Sequence, residues 1–97
     1  MTRVPIFRPE AEAETLEAQR WYEGRRLGLG EAFCAAVDAT VARMVERPLA
    51  FPRVRDETRR AVLMRFPYAL YFRVTDESIV VLAVHGRQNP VLWRRRA

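Results

Sequence analysis

The 97-residue chain contains no lysine, one cysteine, one histidine and one serine, and no apolar run exceeds six residues. Each scarcity closes off a class of function. A lone cysteine, Cys34, can form neither an internal disulfide nor a metal cluster, and it fits a reducing, cytoplasmic setting. With one histidine beside it, metal coordination lacks ligands, and neither a metal nor a cofactor is expected. The single serine, Ser78, falls in a polar turn, where a hydroxyl more often shapes the backbone than attacks a substrate. A run of six, such as Ile79–Val84, is far short of the roughly 20 residues that cross a bilayer, so no membrane role is expected. The N-terminal stretch turns acidic without an apolar signal core, so export is not expected either.

What is present is arginine. All 17 positive charges are arginine, set against 12 acids for a net charge of +5. The first 50 residues carry net −1 and the remaining 47 carry net +6. The second half therefore presents a positive field suited to an acidic protein segment or a nucleic acid. Apolar residues make up 49% of the chain and charged residues 30%, which is a globular composition; at this length one domain, 1–97, is expected.

Hydrophobic periodicity orders the elements. Arg3–Phe7 is a short β-prone run whose Pro5 suits a first or edge strand. Pro9 followed by Glu10, Glu12 and Glu14 starts a helix that should run to about Arg26. Leu27-Gly28-Leu29-Gly30 is an interhelical turn, and no Gly-Lys-Ser/Thr follows that would make it a phosphate loop. Phe33, Val37, Val41, Met44 and Val45 repeat at helical spacing and predict one buried face, with Cys34 on the same arc as a core residue. Pro48 and Pro52 end that helix. Ala61–Phe66, Tyr68–Val74 and Ile79–His85 then read as strands, and the last, apolar on both faces, belongs inside the sheet. On the middle strand, Tyr68, Leu70, Phe72 and Val74 should share one face. The expected architecture is α+β in the order β-α-α-β-β-β, a two-helix hairpin on a mainly antiparallel sheet.

Hydrolase chemistry finds little support in these residues. What stands out is arginine interleaved with aromatic side chains in the second half: Arg59, Arg60, Arg65, Arg73, Arg87 and Arg94–Arg96 among Tyr68, Tyr71 and Trp93. Such a set suits phosphate contact and base stacking, and equally an acidic amphipathic helix.

The stretch Arg65-Phe66-Pro67-Tyr68-Ala69-Leu70-Tyr71-Phe72-Arg73-Val74, then Ile79–Val84, His85-Gly86-Arg87-Gln88-Asn89-Pro90 and Trp93, resembles the RelE/ParE superfamily of bacterial toxins. Pro9-Glu10-Ala11, Trp21-Tyr22, Gly28-Leu29-Gly30, Phe33, Pro48 and Phe51-Pro52 extend the likeness over nearly the whole chain. The superfamily divides by function. RelE-like members resemble metal-free ribonucleases that cut messenger RNA on the ribosome with strand lysines and arginines and a C-terminal arginine and tyrosine. Here the corresponding strand positions fall on Ala61, Leu63 and Ala69, and tryptophan (Trp93) replaces the tyrosine. An indole donates a hydrogen bond but cannot act as a base. Only Arg87 remains, as the one residue a ribonuclease reading would use.

ParE-like members lack the same groups. This branch implies a type II toxin–antitoxin toxin that inhibits DNA gyrase, is neutralised by a ParD-like antitoxin, and neither catalyses a reaction nor reads DNA sequence. The resemblance places Arg65, Tyr71, Arg73, Arg87, Trp93 and Arg94 as antitoxin- or target-binding residues. The alternatives are a RelE-like ribosome-dependent endoribonuclease and an inactive homologue that only binds its antitoxin.

Overall fold

The computed structural model describes residues 2–86. Strand β1 (Val4–Phe7) leads into helix α1 (Pro9–Arg25) and, after a short turn, helix α2 (Leu29–Glu46). A single 3-10 turn at Pro48–Ala50 precedes β2 (Arg53–Arg55), β3 (Thr58–Val62), β4 (Tyr68–Val74) and β5 (Ser78–Gly86). The five strands form one sheet in the order β1-β5-β4-β3-β2. All neighbours are antiparallel except β1 and β5. The fold is α+β, a helix hairpin on a mainly antiparallel sheet, with β1 at an edge and β5 inside.

Two features depart from the sequence reading. The sheet gains a fourth strand after the helices, β2, whose Arg-Val-Arg composition offers no apolar run. It turns back into β3 through Asp56, which adopts a left-handed φ of 50°. Strand β3 also lies earlier than Ala61–Phe66. It ends at Val62 because Arg65 (φ 70°) and Pro67 take the chain out of extended geometry. Thr58 and Arg59, polar in sequence, are strand residues. Thr58 is fully buried, and the Arg59 guanidinium donates to the carbonyl of Phe51 at 2.6 Å, tying β3 to the loop after α2.

The core lies between the hairpin and one face of the sheet. Ala11, Ala18 and Tyr22 of α1 and Phe33, Val37 and Met44 of α2 meet Leu70, Phe72, Ile79, Val81 and Val84. Val41 and Val45 are only half-buried, whereas Thr40 is buried, its hydroxyl donating to the Ala36 carbonyl at 2.8 Å. The buried stripe is thus rotated slightly from the apolar one, and Cys34 sits half-buried at its margin. Tyr71 pairs with Ala83 and Phe72 with Val81, so Leu82 is an extra residue in β5. This bulge keeps both Val81 and Val84 in the core.

The hairpin turn is built around Glu23. Its carboxylate accepts the Gly28 N–H at 2.9 Å and the Gly30 N–H at 2.9 Å, satisfying free amides at the start of α2. Gly28 takes a left-handed φ of 88°. At Gly30 a Cβ would stand 2.6 Å from the Gln19 carbonyl oxygen of α1, so the two backbones meet there. Gly30→Ala is expected to cost about 1–3 kcal/mol, because an immobile backbone atom blocks the methyl. Gly24→Ala has nothing within 4 Å of the new methyl and should gain about 0.5–1 kcal/mol from helix propensity. Urea melts of the two variants, compared with the parent, check this opposition in sign.

Candidate functional site

Three of the six sequence-designated residues lie among the described residues, on two different parts of the surface. Arg65 is exposed on the β3–β4 turn. Tyr71 and Arg73 lie on the sheet face away from the helices: Tyr71 is 1% exposed, packed with Ala69, Ala83 and Val54. Arg73 is half-buried, and its Nε donates to the Thr58 hydroxyl at 3.3 Å. Arg60 is the cross-strand partner of Tyr71, so it shares this face and adds a second guanidinium to it. Arg87, Trp93 and Arg94 lie outside the described residues.

The positions that the resemblance would assign to RelE-like cations are occupied by core side chains. Ala61 and Ala69 are fully buried and Leu63 is 4% exposed. None can hold a phosphate or move a proton. Burial, followed by Asp38, pushes the Cys34 thiol up, which opposes a thiolate nucleophile. Among the described residues no three His, Cys, Asp or Glu side chains gather to hold a metal ion, and no helix is long and apolar enough to cross a membrane.

A second surface was not singled out by sequence. A groove of about 570 Å³ runs between α1 and the adjoining ends of β4 and β5, lined by Glu14, Glu17, Trp21, Tyr22, Tyr68 and His85 among others. Its α1 residues, 14, 17, 18, 21 and 22, follow the i, i+3, i+4, i+7, i+8 rule, which is the signal that could have revealed it. Tyr22 anchors the wall: it stacks on Phe33 (5.3 Å between centroids) and meets Phe66 edge-on (4.9 Å). Burial raises both the Tyr22 and Tyr68 hydroxyls, with the nearby Tyr68 and Glu17 respectively adding to it. Both phenols therefore stay protonated at neutral pH and can donate hydrogen bonds.

Glu14 locks the groove floor. Pairing of β1 with β5 stops at Val81, so the Val84 N–H has no strand opposite it. The Glu14 Oε1 accepts that N–H at 3.0 Å, while its Oε2 lies 3.1 Å from His85 Nε2. A side chain thus takes over from a missing strand. Glu14→Ala should destabilise the chain by about 1–3 kcal/mol, the cost of orphaning a buried amide. Hydrogen exchange checks this locally: the Val84 amide should lose protection while the Phe72 amide changes only with global stability.

No family model matches the chain. Over 55 residues it is 42% identical to proteins named Toxin ParE2 from two strains of Mycobacterium tuberculosis, CDC 1551 / Oshkosh and ATCC 25618 / H37Rv. The matched stretch is 56% of this chain and 52% of each relative, so the chain spans about half the length of the curated relatives it matches. A solved chain from the chromosomal ParDE toxin–antitoxin system of P. aeruginosa superposes with a TM-score of 0.64 at 20% identity. That superposition covers 88% of this chain and 96% of the other. Over its matched half the chain is similar in sequence to proteins named ParE2 toxins, and over most of its length it shares the fold of that ParDE chain.

Proposed function

We propose that the chain is the toxin of a ParDE-type pair, inhibiting DNA gyrase in the cytoplasm by binding it and neutralised by a ParD-like antitoxin. The observation that carries this reading is the 42% identity to proteins named ParE2 toxins. The buried apolar side chains at positions 61, 63 and 69 support a binding function over phosphodiester cleavage, since charge on a scissile phosphate would find no cation there.

In this reading Arg65 and Arg73, with Arg87, Trp93 and Arg94 beyond the described residues, contact the antitoxin or the target. Tyr71 supports that face from beneath. The antitoxin segment is acidic, disordered alone, and folds across helices and sheet with carboxylates near Arg65, Arg73 and Arg87.

The test against the ribonuclease alternative is direct. Purified chain added to a translating extract should leave ribosome-bound messenger RNA intact, and Arg87→Ala should change nothing in that assay. Cleavage that Arg87→Ala abolishes would overturn the proposal.

A further inference from the structure

The groove beside α1 has the opposite chemistry from the rest of the protein. On a chain of net charge +5, its lining among the described residues includes two carboxylates, Glu14 and Glu17, and no arginine. Glu14 is engaged with the Val84 amide and His85, whereas Glu17 is exposed and lies close enough to Tyr68 to raise its hydroxyl. Three aromatic rings, Trp21, Tyr22 and Tyr68, stand in the same walls, and Trp21 is 56% exposed. One of these rings already holds a cation: the Arg25 guanidinium sits 5.0 Å from the Trp21 ring centroid. An aromatic surface beside an exposed carboxylate is the environment that attracts a guanidinium or ammonium group, through the ring quadrupole and a charge-assisted hydrogen bond together.

We propose that this groove receives an arginine or lysine side chain of a partner protein, with its charged end at Glu17 and its methylene stem along Trp21 and Tyr68. Charge complementarity selects this occupant. An acidic side chain would meet Glu17 unfavourably, and a purely apolar one would desolvate Glu17 without compensating its charge. The groove is separate from the arginine face of the sheet, so a partner that engages both must present carboxylates to one and a basic residue to the other. The inference does not depend on which protein the chain inhibits.

The test uses the full chain, the peptide acetyl-Ala-Arg-Ala-amide and its neutral citrulline counterpart, followed by NMR at the Trp21 indole N–H. The arginine peptide should shift that resonance with a dissociation constant on the order of 1 mM. The citrulline peptide should not shift it. Glu17→Gln should weaken arginine binding at least about tenfold while leaving the melting temperature unchanged, because substitutions of exposed surface side chains change stability little. Equal binding by citrulline, no binding by either peptide, or binding unaffected by Glu17→Gln would each overturn the proposal. Binding that appears only in the triple variant R94A/R95A/R96A would assign the groove to this chain's own arginines and likewise overturn it.

Discussion

Phe33→Ala is expected to lower stability by about 3–5 kcal/mol, enough to leave much of the population unfolded at 37 °C in a domain of this size. Phe33 is fully buried at the point where α2 meets both α1 and the turn before β4. Its ring stacks on Tyr22 and meets Phe66 and Tyr68 edge-on, each at a centroid distance of 5.3 Å. Alanine removes all three ring contacts and leaves a cavity that elements fixed by a helix hairpin and a sheet cannot close. Val41→Asp should cost much less than Val37→Asp, because Val41 is half-buried and a carboxylate there can reach water, whereas Val37 is 4% exposed. Denaturant titrations of the three variants check the order. A Phe33→Ala variant within about 1 kcal/mol of the parent would mean that the aromatic cluster is not the keystone of the hairpin.

The second large effect concerns association with the proposed antitoxin. Raising salt from about 0.05 to 0.5 M should slow association markedly, on the order of tenfold or more, while dissociation changes little. Among the described residues, the arginines placed for steering include Arg65 on its turn and Arg60 and Arg73 on the sheet face, each exposed or half-buried. Charges so placed are screened over a shell of roughly 4–14 Å across that salt range. Apolar burial, which retains the complex once formed, is not screened. Surface-based kinetics at four salt concentrations read both rate constants. A salt-independent association rate, or complete dissociation at 0.5 M, would contradict this division of labour.

Much of the fold was legible because its signals are local. The 3- and 4-residue spacing of Phe33, Val37, Val41 and Met44 marks α2, alternation marks β4, and an apolar run on both faces marks β5 as interior. Less legible were the parts set by tertiary context. β2 is three residues long and becomes a strand only because β3 lies beside it. β3 starts at Thr58 because Thr58 is enclosed and Arg59 finds a carbonyl across a loop, neither of which an arginine-rich string announces. The site divides in the same way. The arginine and aromatic content of the second half was visible, but its segregation was not: Arg59 turns inward to a structural bond, while Arg60, Tyr71 and Arg73 share one face. The groove depends on Glu14 replacing a strand partner 70 residues away, a relation that no local pattern carries.

The most direct measurement of the central claim is supercoiling of relaxed plasmid by purified DNA gyrase, titrated with the purified chain. The account predicts inhibition that rises with the chain-to-gyrase ratio and is relieved by a ParD-like antitoxin, with no RNA consumed in parallel. Unimpaired supercoiling at a large molar excess of folded chain would contradict it.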